Sequence, residues 1–129
     1  MTFDITTVPA HLGCGGAARP IDGFSWERVD EYATATADDG PDGRLVMMFQ
    51  MTGAWDSWEM HPVGDEVVIA CTGIHRFRQE VGGSEQVVTI GPGEALINPA
   101  GVWHTADSGA DGGWIVTITP GQGTEHRPA

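Results

Sequence analysis

The stretch that decides the fold is residues 53–73, GAWDSWEMHPVGDEVVIACTG. It places Glu59, His61 and Glu66 between two glycines, next to a strongly apolar run. Residues i and i+2 of a β-strand lie on the same face, so Glu59 and His61 share one face. The turn-forming segment Pro62–Asp65 then reverses the chain and returns Glu66 beside them. The pattern predicts two strands whose ionisable side chains point to one interior site.

The composition describes one globular domain. Of 129 residues, 40% are hydrophobic and 19% are charged. Six arginines, no lysine and eighteen acidic residues give a net charge of −12, which argues against nucleic acid and anionic membrane as partners. No segment approaches the ~18–20 apolar residues needed to span a bilayer. The N-terminus carries no secretory signal pattern, so a cytoplasmic location is predicted.

Short segments rich in β-branched and aromatic residues alternate with glycine- and proline-containing turns. Strands at this spacing, without long helical stretches, predict an all-β antiparallel sandwich or barrel. The first twenty-three residues (1–23) are predicted to form an N-terminal arm, and residues 24–129 a single domain. The eight predicted strands are Arg44–Thr52, Trp55–His61, Glu66–Thr72, Ile74–Val81, Gln86–Ile90, Glu94–Asn98, Val102–Ala106 and Trp114–Thr119.

Residues 24–37 fit either a helix or a strand. A helix capped by Ser25 would align Trp26, Val29 and Tyr32 at helical spacing. The strand is favoured, because the following sequence ADDGPDG would then form a hairpin turn into the first of the eight strands.

A fourth ionisable group lies in residues 93–108, GEALINPAGVWHTADS. His104 follows a Pro-x-Gly turn there and lies on the predicted strand Val102–Ala106.

The two stretches together resemble the two sequence motifs of the cupins. Glu59-x-His61-x4-Glu66-x6-Gly73, preceded by Gly53, is similar to the first motif, Gly-x5-His-x-His-x3–4-Glu-x6-Gly. Gly93-x5-Pro99-x-Gly101-x2-His104-x3-Ser108 is similar to the second, Gly-x5-Pro-x-Gly-x2-His-x3-Asn. All the spacings agree, and the motifs span a little under half of the chain.

The resemblance implies a double-stranded β-helix, or jelly-roll barrel, whose interior holds one divalent transition metal ion: iron, manganese, nickel or zinc. The ligands it implies are Glu59, His61, Glu66 and His104. Two positions depart from the family pattern, since Glu59 stands in place of a histidine and Ser108 in place of an asparagine.

The glutamate at position 59 changes the expected chemistry. Two imidazoles and two carboxylates neutralise a divalent ion, whereas three imidazoles and one carboxylate leave a charge of +1. Oxygen-rich ligation shifts preference toward iron(II) or manganese(II). Two histidines and one carboxylate also form the facial triad of non-haem iron, with the second glutamate optional.

Three functions follow as hypotheses. The first is a metal-dependent enzyme that acts on a small organic molecule. Its reaction would be of the oxygenase, isomerase, lyase or cyclase type, so the enzyme could be an oxidoreductase or an isomerase. The second is a non-catalytic module that binds or senses a small ligand. The third is metal-free acid/base catalysis by Glu59 and Glu66, which requires the pKa of one carboxyl to rise.

Several other side chains receive predictions. His75 is a candidate for lining the pocket, whereas Arg76 and Arg78 are expected to be exposed and to pair with acids such as Glu80 or Glu85. Trp58 should face away from the site and suit the packed sheet of a homodimer, which the resemblance also implies.

The residues Leu45, Met47, Phe49 and Met51 are expected to line a core. His11 and His126, near the termini, are expected to face solvent.

Overall fold

The computed structural model describes residues 1–129, which form two antiparallel β-sheets packed against each other. The single α-helix, α1, is Val29–Ala35, so no helix is long and apolar enough to cross a membrane. Three short 3-10 helices cover Cys14–Gly16, Trp26–Arg28 and Ala37–Asp42. The strands are β1 Ala10–Leu12, β2 Ala18–Pro20, β3 Arg44–Met51, β4 Ser57–Met60, β5 Glu66–Ala70, β6 His75–Val81, β7 Ser84–Ile90, β8 Ala95–Asn98, β9 His104–Asp107, β10 Gly113–Thr119 and β11 Glu125–Pro128.

The order of strands confirms the predicted all-β antiparallel class. One sheet has six strands in the order β2-β1-β3-β10-β5-β8, and the other has five in the order β11-β4-β9-β6-β7. The two sheets of the predicted jelly roll are not closed into a barrel, because the edge strands β2, β8, β11 and β7 each pair on one side only. The architecture is therefore an open two-sheet jelly roll.

All eight predicted strands are present as β3–β10, and three further strands were missed. These are β1, β2 and β11, which have three or four residues each and contain little apolar alternation. Strands β1 and β2 form a hairpin that pairs with β3, so part of the predicted arm extends the six-stranded sheet. The division at residue 23 stays a prediction.

The strand favoured for residues 24–37 is wrong, because this segment contains a 3-10 turn followed by helix α1. The helical path brings Tyr32 and Asp39 to the same imidazole. The Tyr32 hydroxyl lies 2.6 Å from Nδ1 of His11, and the Asp39 carboxylate lies 2.7 Å from its Nε2. His11 is therefore buried, not solvent-facing, and joins the first strand to the helical segment.

The hydrophobic core lies between the two sheets. Of the four residues expected to line a core on β3, Leu45 is buried, and Phe49 and Met51 pack against the central cluster. Because both sheets contribute to this cluster, its burial holds them together. Its members are Val68, Ala70, Phe77, Ile90, Leu96, Ala106 and Ile115.

The outer face of the five-stranded sheet carries Trp58, as predicted. The guanidinium groups of Arg78 and Arg127 both lie 5.0 Å from its ring centroid, so the indole is buried between two cations. Arg78 also pairs with Glu85 at 3.6 Å across the hairpin, and Arg76 is exposed. These arginines are thus outside the interior site, as predicted.

Gly73, the last glycine of the first motif, lies where the turn between β5 and β6 crosses the start of β10. Its φ is +80°, and a Cβ there would collide with the carbonyl oxygen of Gly112. The motif requires glycine here for backbone conformation and for this close approach.

We expect Gly73→Ala to lower the free energy of unfolding by more than about 2 kcal/mol, because positive φ alone costs roughly 1–2 kcal/mol and the collision adds to it. The control is Gly82→Ala, since Gly82 also has positive φ but has no atom within 4 Å of the added Cβ. Denaturant titration of both variants measures the difference. Equal losses would show that the close approach contributes nothing.

Candidate metal centre

The four predicted site residues come together between the two sheets. Glu59 in β4 is paired in register with His104, the first residue of β9, and His61 follows the end of β4. Glu66 begins β5 in the opposite sheet. The backbone N–H of Gly101, in the second motif, donates to the carbonyl of His61 at 2.9 Å, which joins the two motifs.

The side chains of these residues are within contact distance of one another. Nε2 of His61 lies 3.3 Å from one oxygen of Glu66, and Nε2 of His104 lies 3.4 Å from the other. One oxygen of Glu59 lies 3.8 Å and 3.9 Å from the same two nitrogens. The donor atoms of Glu59, His61 and His104 all fall within 4.8 Å of each other. Three protein donors thus surround one small volume, with Glu66 beside both rings.

The tautomer of His61 follows from the hydrogen bonds of Thr124. The Thr124 hydroxyl donates its one proton to the carbonyl of Gly121 at 2.9 Å. At its 2.8 Å contact with His61 it must therefore accept, so Nδ1 of His61 carries the proton. In a ring whose single proton is on Nδ1, the lone pair of Nε2 points into the cluster.

The ring of His104, like that of His61, has Nδ1 directed at a backbone or side-chain oxygen and Nε2 directed into the cluster. Its Nδ1 lies 3.4 Å from the carbonyl oxygen of Val102, which can only accept a proton. Burial lowers the pKa of His104 and outweighs the opposing attraction of Glu66, so the ring is neutral at neutral pH. Its Nε2 lone pair also points into the cluster.

Both Nε2 atoms are buried and lack a hydrogen-bond partner. Nε2 of each ring lies within 3.4 Å of a Glu66 oxygen, but these contacts are not aligned as hydrogen bonds. Buried polar atoms are normally satisfied, and two lone pairs facing carboxylate oxygens repel them unless a cation lies between. The residues present therefore fit a metal ion, because two imidazole nitrogens and carboxylate oxygens are the donors that divalent transition metals use.

Glu66 is held ionised by its surroundings. Burial raises the pKa of its carboxyl, but the attraction of His61 and His104, which acts when these rings are charged, together with the Thr119 hydroxyl holds that pKa below its usual value. Thr119 donates to one oxygen at 2.6 Å, and the Asn98 amide donates to the other at 2.9 Å. An ionised carboxylate and neutral imidazoles are the protonation states that metal binding requires.

The structure does not bring His75 into this cluster. His75 is fully buried, but its two ring nitrogens contact the Ser108 hydroxyl and the Thr72 carbonyl, both at 2.8 Å. The ring thus ties the turn before β6 to the end of β9. Ser108, at the position where the family pattern has asparagine, is its partner.

Two residues near the site were missed by the sequence analysis. Thr124 contacts His61, and Nε2 of His126 lies 3.3 Å from an oxygen of Glu59 although 58% of the His126 side chain is exposed. His126 faces solvent, as expected, but it also contacts Glu59. No periodic signal marks the short polar strand β11, and its pairing with β4 appears only in three dimensions.

Comparison with known proteins supports the fold. No family model and no curated protein matches the chain. A cupin-2 domain protein from Shewanella frigidimarina is 25% identical with a TM-score of 0.51, over 60% of this chain and 70% of that one. Hydroquinone 1,2-dioxygenase in complex with Cd2+ and 4-hydroxybenzonitrile is 18% identical with a TM-score of 0.52, over 59% of this chain and 56% of that one. Oxalate decarboxylase from Bacillus subtilis is 18% identical with a TM-score of 0.51, over 67% of this chain and 23% of that one.

The dioxygenase and the decarboxylase share the fold alone at this identity. The cupin-2 domain protein matches over a larger share of both chains than the dioxygenase, and the two motifs lie at the expected places in the two sheets. The chain has the fold of the small cupins.

Proposed function

We propose that this protein is a mononuclear metal enzyme that acts on a small organic molecule. Glu59, His61 and His104 hold the ion, and Glu66 is the fourth donor or holds the two rings from the opposite sheet. The observation that carries this proposal is the pair of buried, unpartnered Nε2 atoms directed at carboxylate oxygens. A divalent cation satisfies all of these groups at once.

The donor set favours iron(II) or manganese(II) over zinc, copper or nickel, because half of its donors are carboxylate oxygens. Two carboxylates and two neutral imidazoles balance a charge of +2, so the loaded site is neutral. When bound, such an ion supplies Lewis-acid polarisation of an oxygen on its ligand. A neutral site favours an uncharged or weakly anionic substrate over a multiply charged anion.

The chain's own residues define how a substrate reaches the ion. The side chains of His61, His104 and Glu66 are at most 5% exposed, whereas that of Glu59 is 29% exposed. The substrate therefore enters from the side of Glu59. Trp55 packs edge-on against His104, with ring centroids 6.2 Å apart, and excludes water from the inner side.

The reaction belongs to the oxygenase, isomerase, lyase or cyclase types expected from the sequence. The names of the two enzymes with similar folds, a dioxygenase and a decarboxylase, are compatible with a metal-dependent reaction but do not select one. A protein that binds a small ligand at the same ion without turnover is the alternative, and turnover of any candidate compound separates the two. The homodimer and the cytoplasmic location stay predictions.

We expect the protein, purified without a chelating tag and reconstituted, to hold about one equivalent of a transition metal. His61→Ala and His104→Ala should each abolish binding, because each removes a nitrogen donor. Glu59→Gln should weaken it at least about ten-fold, because an anionic donor becomes a neutral amide. Elemental analysis and chelator competition measure these values.

The matched control is Glu85→Gln, which changes an exposed glutamate of the same sheet and should leave metal affinity unchanged. Circular dichroism of each metal-free variant checks that it is folded. A metal content below about a tenth of an equivalent in reconstituted wild-type protein would contradict the proposal. Unchanged affinity in Glu59→Gln would remove only that residue from the ligand set.

Glu66 is disfavoured as the proton donor of metal-free acid/base catalysis, because its pKa is lowered and a proton donor needs a raised pKa. A lowered folded-state pKa adds stability above the ordinary value of about 4.5, and this contribution is lost as pH falls through the folded value. We therefore expect metal-free wild-type protein to lose more stability below pH 4.5 than Glu66→Gln does. Denaturant titrations at several pH values test this. The same loss of stability in both proteins would contradict the lowered pKa of Glu66 and would restore Glu66 as a candidate proton donor.

A further inference from the structure

We propose that the C-terminal segment 121–128 is a positioning element for the metal ligands. Within it, Thr124 sets the tautomer of His61, and His126 restrains Glu59. The inference rests on the proposed metal site and adds two residues that lie outside both sequence motifs.

The segment is anchored from the outside of the five-stranded sheet. Strand β11 is an edge strand that pairs only with β4, and Arg127 pairs in register with Trp58. The guanidinium of Arg127 lies 5.0 Å from the ring of Trp58 and 4.6 Å from that of Trp103, and it pairs with the carboxylate of Glu80. Alternation along the strand then turns His126 to the opposite, inner side. The anchor on one face thus fixes the imidazole on the other.

Thr124 acts on His61 through a single hydrogen bond. Because its hydroxyl proton is already given to the carbonyl of Gly121, the oxygen accepts from Nδ1–H of His61. The bond holds the ring in its plane and turns Nε2 toward the cluster. A histidine ligand whose other nitrogen is held in this way has a fixed tautomer and a more basic donor atom.

His126 acts on Glu59 by engaging only one of its oxygens. Nε2 of His126 lies 3.3 Å from Oε1, whereas Oε2 is the oxygen nearest to the rings of His61 and His104. The carboxylate therefore presents Oε2 alone to the ion. Glu59 is the most exposed of the four candidate ligands, so it gains the most from an external restraint.

The test uses the full chain and measures its affinity for Mn2+ by chelator competition. We expect Thr124→Val and His126→Ala each to weaken binding by about ten-fold or more, the effect typical of residues that orient metal ligands. Thr124→Ser, which keeps the hydroxyl, and His126→Gln, which keeps a side-chain donor, should restore most of the affinity. The control is Glu125→Gln, an exposed residue between the two on the same segment, which should stay within about two-fold of wild type.

A second readout separates positioning from a loss of packing. With Co2+ in the site, the visible absorption band reports ligand geometry, so His126→Ala should shift it while Glu125→Gln leaves it in place. Wild-type protein that binds no metal overturns the proposed function, and this inference with it. Wild-type protein that binds metal, with Thr124→Val and His126→Ala matching it in affinity and spectrum, overturns the inference alone. Failure of Thr124→Ser and His126→Gln to restore affinity would also overturn it, because packing rather than hydrogen bonding would then be the cause.

Discussion

The buried Glu66 carboxylate lies between two neutral imidazoles whose Nε2 atoms have no hydrogen-bond partner. Burying these groups without hydrogen-bond partners costs free energy. The protein supports the carboxylate from its own sheet, through Asn98 and Thr119, and Gln79 in turn donates to Asn98 at 2.8 Å. This polar chain links the two sheets across the interior. The geometry of the site therefore depends on how the two sheets are held together.

Hydrogen bonds at two ends of the motif region hold the sheets in that arrangement. The turns of the two motifs are joined by the bond from Gly101 to His61 and by one at 2.8 Å from the Ala100 N–H to the Asp65 carboxylate. At the opposite end, Gly53 pairs with Ser108 and Gly109 through bonds of 2.9 and 2.8 Å. The first and last residues of the combined motif thus meet in space. The spacing between the motif residues therefore places these hydrogen-bonded turns as well as the candidate ligands.

Much of the fold was predictable because its strands obey simple alternation. The segments β3–β10 are short, mostly rich in β-branched, aromatic or other apolar residues, and separated by turn-formers, so their existence follows from local pattern. Strands β1, β2 and β11 are too short to show a period. They form by pairing with neighbouring strands: β1 with β2 and β3, and β11 with β4. The segment 24–37 had two acceptable patterns, and the hydrogen bonds of His11 with Tyr32 and Asp39 favour the helix. Long-range partners, which no local window contains, decided each of these cases.

The sequence by itself determined the candidate ligands, since alternation places Glu59 and His61 on one face and the motif spacing adds Glu66 and His104. Only the tertiary structure decided which atoms of those residues face one another and in which protonation state. The tautomer of His61 depends on Thr124, sixty-three residues away along the chain, and the orientation of Glu59 depends on its pairing with His126. Alternation also places His75 on an inward face, but both of its ring nitrogens contact Ser108 and Thr72 instead of the cluster. Alternation assigns a side chain to a face, but the hydrogen-bond partners available on that face are set by residues distant in sequence.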